Sequence, residues 1–187
     1  MFAYVKSGSI VSYPQENRGI EIDGIKHSAD IYTKWTESER NAIGIYTIEM
    51  NTTNFKSSEY YLNTEITYAY DSSSNKVTGS YGTAIAREIA DKTVDGVLEE
   101  GLKTIKKRIV DNECAQILAP SDWMATKAFE EGGDVESGWK TWRASVRTKC
   151  NAMQTAINNA SDVDALAALY VRNSEGVRPL GDFPVKE

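Results

Sequence analysis

The sequence predicts an α+β fold: a small antiparallel β-rich N-terminal domain, then a connecting helix, then a C-terminal helical hairpin-like unit. Three observations carry this. In the first half, apolar side chains recur at every second position. In the second half they recur every third or fourth, as on one face of a helix. The change of period falls near residues 83–95. The predicted segments are therefore a β-rich domain over 1–83, a connecting helix over 84–118, a helical unit over 119–172 and an extended tail over 173–187. A chain of 187 residues can bury a core without staples.

The first run, "FAYVKSGSIVSYP", has two short β-rich pieces around Ser7-Gly8 and reads as a hairpin. Pro14 lies just outside it, where a missing donor does no harm. "IEIDG" adds a short strand. In "WTESERNAIGIYTIEM", Thr36 and Glu39 have capping-box spacing, and Gly44 is placed to end the helix in a left-handed conformation. "IYTIEM" returns to strand. In "YYLNTEITYAYDSSSNKVTGSYGTA" two strands flank a Ser/Asn turn, with Ile66, Tyr68 and Tyr70 on one face.

From Asp91 to Leu118 the residues Val94, Leu98, Leu102, Ile105 and Ile109 form a narrow helical seam. The seam permits a coiled coil and hence a homo-oligomer. Gly96 and Gly101 each weaken it by up to about 1 kcal/mol relative to alanine. Pro120 stops the helix. Ser121 is the expected N-cap of a short helix carrying Trp123, and Asp134 of the next. That helix aligns Trp139, Trp142, Val146, Cys150, Met153 and Ile157. "SDVD" at 161–164 is a further capping box, opening a last helix with Val163, Leu166 and Leu169.

The formal net charge of −6 argues against a nucleic-acid partner, which selects a basic face. No apolar run approaches the roughly 18 residues of a membrane span, and the N-terminus lacks the pattern of a signal peptide. The expectation is a soluble chain made in a cytoplasm, with no membrane partner. Cys114 and Cys150 read as buried apolar residues.

Catalytic chemistry finds little purchase. His27 is the one histidine, in a polar turn expected to be solvated. No G-x-S-x-G elbow surrounds a serine, no zinc spacing exists, and "EEGGDVESG" lacks the Lys-Ser/Thr of a P-loop. "DVDAL" lacks the glycine and final glutamate of a calcium loop. No enzyme, metal or cofactor is expected. Lys103, Lys106, Lys107 and Arg108 sit among acids and read as a solvated helix face, with Glu99–Lys103 an i,i+4 pair.

Three of the four tryptophans fall between residues 118 and 147: Trp123, Trp139 and Trp142. Antiparallel packing of their helices would bring them to one seam, with Arg143 stacking on an indole or pairing with Asp122. Two readings stay open: an aromatic core for two short helices, or a partner-binding patch of Trp123, Trp139, Trp142 and Arg143, since Trp and Arg anchor interfaces.

The stretch "LAPSDWMATKAFEEGGDVESGWKTWRASVR" resembles the C-terminal signature of tailed-bacteriophage tail-assembly chaperones and tail-fibre assembly proteins. Ser121-Asp122-Trp123, Lys127, Glu130, Val135, Trp142-Arg143 and Val146 fit that pattern. Glu136 departs from its proline and Lys127 from its arginine. "ADIYTKWTESERNAIGIYTIE" resembles a module of tail-fibre-associated proteins. The resemblance implies a non-enzymatic phage tail protein that binds a tail-fibre or baseplate chain. It would act in the host cytoplasm as an assembly chaperone, or stay in the virion tail as a subunit. The alternative is a carbohydrate- or ligand-binding accessory module with Tyr60, Tyr61, Tyr68, Tyr70 and Tyr81 as stacking platforms.

Overall fold

The computed structural model describes residues 1–186 and forms two compact units, Met1–Ile85 and a second beginning at Ala86. The fold is α+β, with strands gathered in the first unit and helices in the second.

The first unit is built on a five-stranded sheet. Strands β1 (Phe2–Lys6) and β2 (Ser9–Ser12) form the expected hairpin. Ser7 and Gly8 both adopt positive φ, the turn that matches the twist of the flanking strands. β3 (Ile20–Ile22) and β4 (Ile25–His27) make a second hairpin on the same device, Asp23-Gly24. Helix α1 (Glu37–Ala42) opens on the capping box: Glu39 N–H donates to Thr36 Oγ1, and Thr36 N–H to Glu39 Oε2 at 2.7 Å. Gly44 follows at φ 83°. A side chain there would strike the Val5 carbonyl, so close approach as well as backbone angle requires glycine.

Strand β5 (Ile45–Asn51), the short β6 (Tyr61–Leu62), β7 (Ile66–Asp71) and β8 (Lys76–Tyr81) complete the unit. The sheet order is β2-β1-β5-β8-β7. All neighbours are antiparallel except β5 and β8, which run parallel, so the sheet is mixed rather than wholly antiparallel. Its edges curl towards one another, and Tyr13 packs on Tyr68 at 4.9 Å between ring centres. Both faces are covered. Phe2, Ile22, Ile31, Tyr32 and Ile45 fill one side. Ala3, Val5, Tyr46, Ile48 and Val77 fill the other, with Tyr68 and Tyr70 packed against them. Two covered faces explain why β1 is buried at consecutive positions.

β9 (Ile85–Ala86) lies where the units divide. The next segment departs from expectation. Residues 91–99 are not helical: β10 (Lys92–Val94) and β11 (Val97–Glu99) form a hairpin around Asp95-Gly96, both at positive φ. The seam from Val94 to Ile109 therefore does not exist. Val94, Leu98 and Ile109 are exposed, and the coiled-coil argument for a homo-oligomer falls with it. Glu99 pairs with Lys92 at 3.4 Å, not with Lys103. Helix α2 (Leu102–Leu118) instead buries Leu102, Lys106, Val110 and Cys114. Lys106 is thus no solvated cation; its ammonium lies 4.5 Å from the centre of the Tyr170 ring.

α3 (Asp122–Glu130), α4 (Ser137–Asn159) and α5 (Val163–Ala168) follow. α2 and α4 are the principal pair of the unit. Their bonds set them antiparallel: Lys103 Nζ reaches the Asn158 carbonyl at 2.8 Å, Asp111 faces Cys150 and Gln154, and the Leu118 carbonyl meets Arg143 at 2.9 Å. α4 buries Val146, Cys150, Met153 and Ile157, the face that the spacing marks. Asp162, not Ser161, caps α5, accepting from Ala165 N–H at 2.8 Å. Among the described residues no helix is long and apolar enough to cross a membrane.

Candidate partner-binding surface

The surface around the tryptophans begins with a knot at the end of α2. A helix leaves its last carbonyls without partners. Here Arg143 from α4 donates one nitrogen to the Leu118 carbonyl and to Ser121 Oγ, and another to Asp122 Oδ1 at 2.5 Å. A cation at a helix C-terminus is also favoured by the aligned peptide dipoles. Ser121 is fully buried and donates to the Leu118 carbonyl at 2.8 Å. It therefore does not cap α3 with its side chain, because its hydroxyl is already spent on α2. Asp134 is likewise no cap: it is exposed and pairs with Lys140 at 3.0 Å, while Glu136 precedes α4.

The guanidinium fork has three acceptors within the chain, and the Arg143 side chain is only 11 % exposed. Arg143 is a structural clamp that fixes α3 against the α2–α4 pair. It does not stack on an indole.

The three tryptophans do not share one seam. Trp139 and Trp142 meet edge to face on α4, with ring centres 5.5 Å apart and planes at 88°. Both are half-buried. The tail runs along them: Trp142 Nε1 donates to the Pro184 carbonyl at 3.0 Å, and the Lys186 ammonium stands 5.3 Å from the centre of the Trp139 ring. Trp123 stands apart, 58 % exposed, beside a groove of about 310 Å³ lined by Met124, Lys127, Val135 and Glu136. Phe129, on the same helix, is 88 % exposed. No residue of α3 is buried.

Sequence reading missed two parts of this surface. Phe129 lies six residues beyond Trp123 in an acidic context that reads as a loop approach. The tail residues Pro184 and Lys186 carry no local signal at all. The distance from Trp142 to Pro184 is 42 residues along the chain, and only the fold brings them together.

Other expected features fall elsewhere. His27 is half-buried at the end of β4 and meets Trp35 edge to face at 5.7 Å, so it is not a solvated turn residue. Tyr60 and Tyr61 are core residues and offer no free ring face for a sugar. Tyr46 and Tyr70 both donate to Asn75 Oδ1, at 2.9 and 2.7 Å. Burial first, then the Tyr70 hydroxyl, pushes the Tyr46 phenol up to about 12. Cys114 and Cys150 face each other across α2 and α4, both buried and free. Burial, followed by the Cys114 thiol and the Asp111 carboxylate, pushes the Cys150 thiol up to about 12, the opposite of what a nucleophile needs. Among the described residues no group of three His, Cys, Asp or Glu side chains is arranged to hold a metal ion.

Compared with protein-family models, with curated proteins and with solved structures, the chain has no match in any of the three.

Proposed function

We propose that the chain is a non-enzymatic tail protein of a tailed bacteriophage that binds a tail-fibre or baseplate chain through the exposed face of α3. It serves as an assembly chaperone in the host cytoplasm or as a retained subunit of the virion tail. The observation that carries the reading is that α3, a helix of nine residues, is clamped by Arg143 yet leaves Trp123 and Phe129 in solvent. A short helix gains little by folding unless its apolar face is covered. A large exposed aromatic beside a groove, as Trp123 is, is the kind of residue that anchors interfaces. The Ser121-Asp122-Trp123 and Trp142-Arg143 pattern supplies the identity of the proposed partner by its resemblance to tail-assembly proteins.

Within this reading the four residues divide. Trp123 is the contact residue, Arg143 sets the angle of its helix, and Trp139 with Trp142 forms a neighbouring apolar step. The test is co-expression of the chain with the tail-fibre and baseplate proteins encoded beside it, followed by co-purification. Trp123→Ala and Phe129→Ala together should abolish capture while lowering the thermal midpoint by no more than about 4–8 °C, since exposed substitutions change stability by no more than about 0.5 kcal/mol each. Capture that survives the double substitution refutes α3 as the contact face.

A further inference from the structure

The C-terminal tail is held in two different ways. Its first part is pinned: the Leu180 side chain is buried, its N–H donates to the Leu169 carbonyl at 3.0 Å, and its carbonyl accepts from Lys149 Nζ at 2.9 Å. Asp182 then pairs with Arg172 and Arg178. Gly181, at φ 72°, turns the chain between these anchors. Beyond Asp182 the tail runs antiparallel to α4 towards its N-terminus. There it is held by the indole bond from Trp142 to the Pro184 carbonyl and by the Lys186 cation over Trp139, while Val185 between them is 85 % exposed. The space between tail and helix, about 420 Å³, is lined by Ser137, Gly138, Thr141 and Trp142.

We propose that the outer face of the first turns of α4 is a peptide-binding groove whose resident ligand is the chain's own tail. Its exchange partner is an extended, proline-containing segment of the bound protein with a lysine or arginine two residues after the proline. The tail displays what the groove recognises. An extended backbone presents a carbonyl to a fixed indole N–H, and a proline costs such a segment little ordering entropy. A cation on the next turn of the segment meets the face of Trp139. Because Leu180 and Asp182 anchor the base of the segment separately, residues 184–186 can exchange for another chain without unfolding the unit.

For its biological occupant this inference rests on the partner-binding reading. Its test does not, because it needs no fibre or baseplate chain. The probe is the peptide acetyl-Asp-Phe-Pro-Val-Lys-amide, which copies residues 182–186. The readout is the indole N–H resonance of Trp142 in the full chain, with far-UV circular dichroism to verify the fold. In the parent chain the tethered tail competes at an effective concentration on the order of millimolar. Lys186→Glu in the full chain replaces the cation over the Trp139 ring with a negative charge, which the negative face of the ring repels. The peptide is expected to move the Trp142 resonance of that variant with an apparent Kd at least tenfold below the parent's. The same peptide with glutamate for lysine is expected to bind at least tenfold more weakly. If the Lys186→Glu chain shows no Trp142 shift up to about 5 mM peptide, or if the glutamate peptide binds equally well, the groove is not a peptide site. Failure of co-purification with a peptide titration that succeeds would remove the phage partner and leave the groove.

Discussion

Replacement of Arg143 separates clamp from ion pair. The guanidinium makes two kinds of contact. One is with the Leu118 carbonyl and the Ser121 hydroxyl, in a part-buried site. The other is with Asp122, whose side chain is 62 % exposed. A hydrogen bond to a charged group in a part-buried site is worth about 1.5–3 kcal/mol. The pair with an exposed carboxylate is worth about 0–1 kcal/mol, because water and salt screen it. Arg143→Ala should therefore cost about 2–3 kcal/mol, and Asp122→Asn under about 1 kcal/mol. For a unit near 100 residues, 1 kcal/mol moves the midpoint by roughly 4–8 °C, so the arginine variant should melt about 8–24 °C lower. The assay is differential scanning calorimetry of the second unit's transition, repeated at high salt. Salt should narrow the small Asp122→Asn difference and leave the Arg143→Ala difference nearly intact. Arg143→Lys should fall close to alanine, since an ammonium cannot span the same fork. If Asp122→Asn costs as much as Arg143→Ala, the bonds to Leu118 and Ser121 are not what fixes the end of α2 and the turn into α3, and the reasoning fails.

Other perturbations give equally definite expectations. Gly101→Ala places a Cβ 2.3 Å from the Ala90 carbonyl carbon, a backbone atom that cannot step aside. It should cost about 1–3 kcal/mol, read from urea midpoints. Gly96→Ala meets no atom and should cost only the left-handed strain of about 1–2 kcal/mol, with Gly96→Asn cheaper still. Ellman's reagent at pH 8 should find no reactive thiol in the native chain and two after denaturation. Because the Cys150 thiol is raised when folded, its contribution is fully present below the unfolded thiol's value near pH 9. Stability should then fall as pH rises from there to about 12. Tyr46 has the same sign, with loss beginning near pH 10, and Tyr46→Phe should remove that part of the alkaline slope in the first unit.

How much was legible depended on whether the signal was local. The capping box at Thr36 and Glu39, the Ser7-Gly8 turn and the Val146–Ile157 seam each announce themselves within a few residues, and each is present in the structure. Asp95-Gly96 was equally local. Asp-Gly between β-branched residues is the strongest short-range hairpin signal, and both residues adopt positive φ. A helical seam fitted through it fails because Val94 and Leu98 happen to fall four apart while belonging to opposite strands. The cap positions failed for another reason. Ser121 has the right chemistry for α3, but the open carbonyl of Leu118 is closer and takes the hydroxyl. The parallel pairing of β5 and β8 and the seating of Pro184 on Trp142 were illegible, since both depend on segments far apart in sequence.

The aromatic span is therefore two surfaces and a clamp rather than one cluster. Single exposed apolar residues need no explanation, because folded proteins keep much apolar surface. Helix α3 is a different case. It holds Trp123, Met124 and Phe129 and buries none of its residues, although burying a large apolar side chain is worth about 1.5–3 kcal/mol. A helix of nine residues that forgoes this must be held by something else, and the Arg143 bonds to Ser121 just before it and to Asp122 at its first position are that element. The arrangement separates what fixes the helix from what the helix displays. Had the aromatics formed the joint, engaging a partner through them would have meant breaking the joint. With the clamp at the first residue of the helix and Trp123 and Phe129 both left in solvent, either ring can be covered from outside while every internal contact of the unit stays in place.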